Sequence, residues 1–152
     1  MDKVIIREVK KEDIKIVFEL GKNISGFEVS NDIVTFWPIQ LLNNSVEKED
    51  VIFLVMEQEK NIIGFLIMNL NYSLLKGEIE DIYIIEEERN KGYGSTLLKK
   101  SIDIAKNKGI NYKIQYINTM TNSAEGFFQK NDFVKGNIFI WYSLALTDIF
   151  KK

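Results

Sequence analysis

The chain has no cysteine and no histidine, and only one proline in 152 residues. Without cysteine there is no disulfide framework, no thiol nucleophile and no thiolate metal site, which fits a reducing compartment. Without histidine there is no Ser-His-Asp triad and no imidazole base, and the commonest zinc and iron sites are excluded too. Acid–base chemistry is left to Asp, Glu, Tyr, Lys, a terminus or water. An excess of one charge is also missing: 20 basic and 22 acidic residues give a formal charge of −2, so nothing global attracts nucleic acid or an anionic membrane. Long hydrophobic runs are absent as well. The longest, 138–146, is interrupted by Ser143 and falls short of the ~18–20 residues that span a bilayer. Met1-Asp2-Lys3-Val4-Ile5-Ile6 lacks the apolar core of a secretory signal. These absences describe a soluble chain, expected in the cytoplasm.

What is present suits one domain over residues 1–152, long enough to bury about two-thirds of its unfolded surface without staples. β-branched residues at 4–9 predict a strand. Ile14, Val17 and Phe18 recur at helical spacing after a start near Glu12 or Asp13, and Gly21 is expected to stop that helix. A second helix is predicted after Ser30-Asn31-Asp32, with Pro38 inside it as a kink or a split. Apolar runs at 51–55 and 62–70, joined by the polar link 57–61, predict a hairpin, and Gly64 within the second run signals a bulge or a close backbone approach. A strand at 78–85, a helix from 92 to 108 closed by Gly109, a strand at 112–117 and a short helix from Asn122 or Ser123 to Lys130 come next. Phe133-Val134 is expected to open a last hairpin turning at Gly136-Asn137, with 138–146 closing the sheet. The order β-α-α-β-β-β-α-β-α-β predicts a mixed α+β domain.

The most informative stretch is Arg89-Asn90-Lys91-Gly92-Tyr93-Gly94-Ser95, at the corner between the strand and the long helix. Glycine allows φ > 0 and close approach, so several N–H groups can converge there, joined by the helix N-terminus and by the charges of Arg89 and Lys91. A pyrophosphate fits such a corner. A dinucleotide fingerprint would need its third glycine where Leu97 stands, and a triphosphate loop would need a Gly-Lys-Ser/Thr that is absent. The remaining pattern, R-x-x-G-x-G between strand and helix, resembles the acetyl-CoA loop of the GCN5-related N-acetyltransferase (GNAT) family. The run Glu78-Ile79-Glu80-Asp81-Ile82-Tyr83-Ile84-Ile85 is similar to that family's fourth strand, and 92–108 to its third helix. A second segment, 124–133, is similar in register to the family's N-x-x-A-x-x-L-Y-x-K-x-G-F, with Ala124, Phe127, Lys130 and Phe133 in matching slots. Two slots depart from it. Thr121 replaces the asparagine, with Asn122 or Asn118 as substitutes, and Phe128 replaces a tyrosine that in the family hydrogen-bonds the CoA sulfur.

The resemblance implies a central mixed, mostly antiparallel twisted sheet of 6–7 strands flanked by about four helices. It implies direct acetyl transfer from acetyl-CoA to a primary amine of a peptide or small molecule, with no acyl-enzyme and no metal. An amine with pKa near 10.4 is about one-thousandth neutral at pH 7.4, a cost of about 4 kcal/mol unless a base or desolvation helps. The base expected from the resemblance is Glu80 first and Glu78 second, two apart and so on one strand face, with Asp81 on the other face unless a bulge shifts the register. The CoA site implied is Tyr83, Ile84 and Ile85, the corner Arg89, Asn90, Lys91, Gly92, Tyr93, Gly94 and Ser95, then Asn122 and Phe128; a backbone N–H of Ile84 or Ile85 would meet the acetyl carbonyl. Arg89 either contacts phosphate or ties the acidic link 86–88. Tyr83, Tyr116 and Tyr142 are candidates to replace the missing tyrosine. Acceptor candidates are Glu28, Asp32, Trp37 and Trp141. Homodimers are common in that family, but the sequence shows no apolar stripe that argues for one. The alternative is a non-catalytic acyl-CoA-binding or sensing domain on the same fold, motivated by Phe128.

Overall fold

Runs of Ile, Val, Leu and Phe become strands wherever turn residues bound them, and helices form where apolar residues return every third or fourth position. The structure, a computed structural model, describes residues 3–22, 36–116 and 122–137. Its elements are β1 (Val4–Glu8), a 3-10 turn (Lys11–Asp13), α1 (Ile14–Gly21), α2 (Ile39–Ser45), β2 (Val51–Gln58), β3 (Asn61–Asn71), β4 (Lys76–Ile84), a second 3-10 turn (Glu86–Glu88), α3 (Tyr93–Asn107), β5 (Lys113–Tyr116) and α4 (Asn122–Lys130). Five strands lie in the order β1-β2-β3-β4-β5. The first four pair antiparallel, while β5 runs parallel to β4. A parallel neighbour requires a long crossover, and α3 provides it.

The sheet is covered on both faces, so β2 and β3 read as nearly unbroken apolar runs. On one face Leu54, Met56, Leu66, Met68, Ile79 and Ile84 pack with Leu97, Leu98 and Ala105 of α3 and Phe128 of α4. On the other, Phe53, Val55, Phe65 and Ile67 pack with Ile14 and Val17 of α1, Leu42 of α2 and Phe36. Gly64 sits beside a bulge between Met56 and Glu57, and a Cβ on it would lie 2.5 Å from both Tyr83 O and Ile84 Cδ1. The close backbone approach signalled by that glycine is therefore real.

Several expectations need correction. Among the described residues the sheet has five strands rather than six or seven; residues 133–137 adopt no strand and Val134 is almost fully exposed, while 138–146 lie outside the described residues. Pro38 does not kink a helix: it stands at the N-cap of α2 with φ −53° and ψ 142°, where its missing N–H costs nothing. The rest of the helix expected before it, 31–35, lies outside the described residues. α1 does end at Gly21, but into a right-handed Lys22; the glycine is needed because the ring of Phe36 occupies the space of its Cβ.

Arg7 fastens the first strand to its neighbours. Its guanidinium donates to Asp13 Oδ2 and Oδ1 at 2.6 and 3.0 Å and, through Nε, to Glu57 Oε2 at 2.9 Å; Asp13 Oδ2 also accepts from the Lys10 amide at 2.7 Å. β1, the 3-10 turn and β2 are thus held through one side chain. Its hydrogen bonds to Asp13 hold that carboxyl below its ordinary value, against the opposing effect of burial. A carboxyl with a depressed native pKa adds stability above its unfolded pKa, and that contribution fades as pH falls through the native value. Asp13→Ala should therefore cost about 2–3 kcal/mol in denaturant melts at pH 7, and the gap to wild type should narrow as the pH is lowered below about 4.

Candidate functional site

The corner after β4 is built from left-handed residues. Asn90 has φ 63° and Gly92, the N-cap of α3, has φ 83° and ψ −1°, so the chain reverses into the helix. Nothing lies within 4 Å of the place where a Cβ on Gly92 would stand, which leaves an open cradle over the helix end. The first intrahelical bond runs from Thr96 N–H to Gly92 O at 3.0 Å. The amides of Tyr93, Gly94 and Ser95 precede it and have no intrahelical acceptor, so they converge with the positive end of the α3 dipole. A diphosphate fits this donor set. Gly94 does not share the left-handed geometry expected of it: it is helical, and its need is space, since a Cβ would come 3.1 Å from the Phe127 ring. Tyr93 packs against the core.

Both cations of the corner are engaged by its own acids. Arg89 Nε donates to Ile84 O at 2.9 Å, its Nη1 lies 3.4 Å from Glu86 Oε1, and its guanidinium sits 5.4 Å from the Tyr83 ring centre. Lys91 Nζ donates to Glu88 Oε2 at 2.9 Å, which raises the lysine's pKa. Arg89 therefore does tie the acidic link. On the strand itself, Ile85 N–H donates to Ile63 O at 2.9 Å and is not free to meet a carbonyl. Successive amides of a strand point to opposite edges, so the Ile84 amide faces the β5 side. β5 pairs with β4 as far as Ile79 opposite Tyr116, and residues 117–121 that follow lie outside the described residues.

A bulge decides which side chains accompany that edge. Ile67 pairs with Asp81 and Met68 with Ile79, leaving Glu80 as the extra residue. Ile79, Ile82 and Ile84 consequently all face α3, whereas Asp81 joins Glu78 and Glu80 on the α1/α2 face. The exception allowed for in the expectation, a bulge that shifts the register, is what the strand shows. The signal is present in the sequence as a break in alternation, with isoleucine at 79, 82 and 84 rather than every second residue.

The three carboxylates differ in environment. Glu78 accepts from Gln115 Nε2 at 2.9 Å and lies 3.5 Å from Lys76 Nζ. Glu80 accepts from Asn69 Nδ2 at 2.7 Å; burial and then the charge of Glu78 raise its pKa, with the amide opposing. Asp81 is 7% exposed and accepts from the indole Nε1 of Trp37 at 2.7 Å. Burial pushes its pKa up to about 7, the indole hydrogen bond opposes, and the charge of Glu80 adds to the rise. Glu78 and Glu80 open onto a groove of about 290 Å³ that Asn69, Asn71 and Lys76 also line.

Phe128 lies in the core, stacked on Tyr116 at 4.2 Å and edge-on to Phe127 and Phe133. Among the described candidates to replace the tyrosine, Tyr116 is the one stacked on Phe128, its phenol pKa raised by burial and by the charge of Asp81. Asn122 opens α4, and Trp37 walls the carboxylate face. Glu28, Asp32, Trp141, Asn118, Thr121 and Tyr142 lie outside the described residues. Among the described residues no cluster of acidic side chains is arranged to hold a metal, and no helix is long and apolar enough to cross a membrane.

Asp81 titrates higher in the folded chain than its ordinary 3.8, so its contribution to stability is full below the unfolded value and lost as pH rises through about 7. Asp81→Asn keeps an oxygen for the indole and removes the buried charge. It should melt higher than wild type at pH 8.5, with the difference shrinking toward pH 5.

A sequence model described as the acetyltransferase (GNAT) family matches residues 23–133, well over half of the chain. A spermidine N(1)-acetyltransferase of Thermoplasma acidophilum is 26% identical over 141 residues, covering 84% of this chain and 86% of its own. A thialysine N-epsilon-acetyltransferase of Bos taurus is 29% identical over 118 residues, covering 70% and 69%. The crystal structure of a PaiA N-acetyltransferase of Thermoplasma acidophilum in complex with coenzyme A shares the fold at a TM-score of 0.70 and 21% identity, over 85% of this chain and 88% of that one. With the strand, the glycine corner and the helix in the arrangement the motif requires, the chain belongs to the acetyltransferase (GNAT) family and is an N-acetyltransferase that uses acetyl-CoA.

Proposed function

We propose that the acceptor is the primary amine of a small aliphatic cation, and that it approaches β4 from the α1/α2 face. The observation that carries this reading is the bulge that gathers Glu78, Glu80 and Asp81 on that face. Their negative field attracts an ammonium group, and the polar groove below Glu78 and Glu80 gives room for the rest of an extended chain. Two relatives are named for spermidine and for thialysine, both of which carry a primary aliphatic amine.

On this reading the donor's diphosphate rests on the α3 amides at Gly92, Tyr93, Gly94 and Ser95, with Asn90 shaping the turn and Arg89 and Lys91 at its rim. Its pantetheine arm runs along β4 past Tyr83, and the Ile84 amide donates to the acetyl carbonyl. That amide stabilises the oxyanion as the amine attacks. Glu80 and Glu78 hold the cation and, with Asp81, supply carboxylates for its proton. Asn122 and Phe128 flank the far side of the donor at α4. Glu28, Asp32 and Trp141, outside the described residues, remain proposed acceptor contacts along with Trp37.

Thiol release from acetyl-CoA should be fastest with spermidine, putrescine or thialysine in a panel that also holds a neutral peptide N-terminus and an aminoglycoside. Preference for the neutral amine would overturn the acceptor reading. Gly94→Val should weaken CoA binding by at least about tenfold in calorimetry, because the added methyls press on Phe127. Arg89→Ala should cost less, since its Nε already serves Ile84 O. Equal CoA affinity in all three proteins would remove the donor from this corner.

A further inference from the structure

The 3-10 turn at Glu86–Glu88 folds the chain back on β4, so that Arg89, whose amide donates to Glu86 O at 3.1 Å, reaches the strand it has just left. Its Nε donates to Ile84 O at 2.9 Å. That carbonyl does not belong to the β3–β4 ladder. Ile85 N–H goes to Ile63 O, and in a strand the N–H and C=O of one residue share an edge while those of the next face the other. Ile84 therefore turns both of its polar groups to the β5 side. Arg89 covers the same edge on which the Ile84 amide stands.

The guanidinium is lightly held there. It sits 5.4 Å from the ring centre of Tyr83, which packs in turn on Phe65. Nη1 lies 3.4 Å from Glu86 Oε1, near the limit of a hydrogen bond, and among the described residues Nη2 has no partner. The side chain is 45% exposed. Lys91, by contrast, is held by Glu88 at 2.9 Å. Of the two cations at the corner, Arg89 is the one with donors to spare and room to move, three residues ahead of Gly92. A chain laid along this edge of β4 competes with it for one carbonyl, and Ile84 O is given up cheaply only where another N–H takes it.

We propose that Arg89 is a specificity-determining residue for the donor: it closes the β4 edge at Ile84 O and leaves it for phosphate bound at the Gly92 corner. This rests on the placement of the donor proposed above. The planar guanidinium exchanges a carbonyl dipole for a full negative charge that its fork can grip with two bonds. Ile84 O, once uncovered, accepts from an amide N–H of the carrier's arm. A thioester without phosphate gives Arg89 nothing in exchange and must displace it unaided, so the edge stays covered against truncated carriers.

The chain has only two arginines, Arg7 and Arg89, so arginine-labelled protein gives two Nε–H resonances, and Arg89→Ala assigns them by removing one. Arg7, tied to Asp13 and Glu57, serves as the internal reference. Coenzyme A should shift the Arg89 resonance and leave that of Arg7 in place. In calorimetry, Arg89→Ala should bind acetyl-pantetheine about three- to tenfold more tightly than wild type, the worth of one released hydrogen bond, while its affinity for acetyl-CoA falls or holds. A residue that only contacted phosphate, or only braced the turn, would give no such gain. Failure of the Gly92 and Gly94 amides to respond to coenzyme A would overturn the donor placement and this inference together. Responsive glycines beside an unmoved Arg89 resonance, or an Arg89→Ala variant with no gain for acetyl-pantetheine, would overturn this inference alone.

Discussion

One extra residue in β4 governs the site. Where Ile67 and Met68 of β3 face Asp81 and Ile79, Glu80 is unopposed, and the strand's alternation is reset by one. Regular pairing would have sent Asp81 into the apolar layer under α3 and lifted Ile82 out of it, exchanging a buried carboxylate and an isoleucine between two environments that suit neither. The bulge avoids both errors at once. It leaves isoleucines 79, 82 and 84 as the floor for α3, collects the acids on the other face, and leaves the Ile84 amide toward the β5 side. Chemistry and packing on this strand are the same geometric fact seen from two sides.

The fold supports that arrangement with unequal resources. The two apolar layers, on either face of β2 and β3, bear the bulk of the stability. Arg7, with Asp13 and Glu57, fixes the first strand and the approach to α1 by charge-assisted hydrogen bonds. Against these stands Asp81, a buried acid held by an indole. A protein selected for stability alone would replace it. Its cost must be offset by the two apolar layers and by the indole hydrogen bond.

Much of this is legible in the sequence, for identifiable reasons. Strands, the β2–β3 hairpin and the long helix declare themselves through apolar period and turn chemistry, and the glycine corner through spacing. Gly64 announces a close backbone approach because nothing larger fits beside Tyr83 O. The departures share one cause, which is that a residue type read alone suggests its usual job without regard to its neighbours. Pro38 reads as interior to a helix that it in fact begins, and Gly94 reads as a left-handed turn when it makes room for Phe127. Strict alternation puts Asp81 on the wrong face, although the spacing of the isoleucines already breaks that alternation. The partnership of Trp37 with Asp81 spans 44 residues, and no local pattern encodes a contact between segments so far apart.

The pairing of Arg89 with Glu86 and of Lys91 with Glu88 bears on how the donor is captured. On the proposed placement of the donor, a phosphate entering the corner meets cations already paired with carboxylates, so its arrival exchanges one anion for another instead of filling an electropositive hole. Dissolved electrolyte weakens attraction between exposed charges, but it does little to oriented peptide dipoles at close range. Capture of the thioester carrier should then tolerate brine better than a lysine-lined cleft would, and release of the spent carrier should be eased by carboxylates waiting to reclaim their partners.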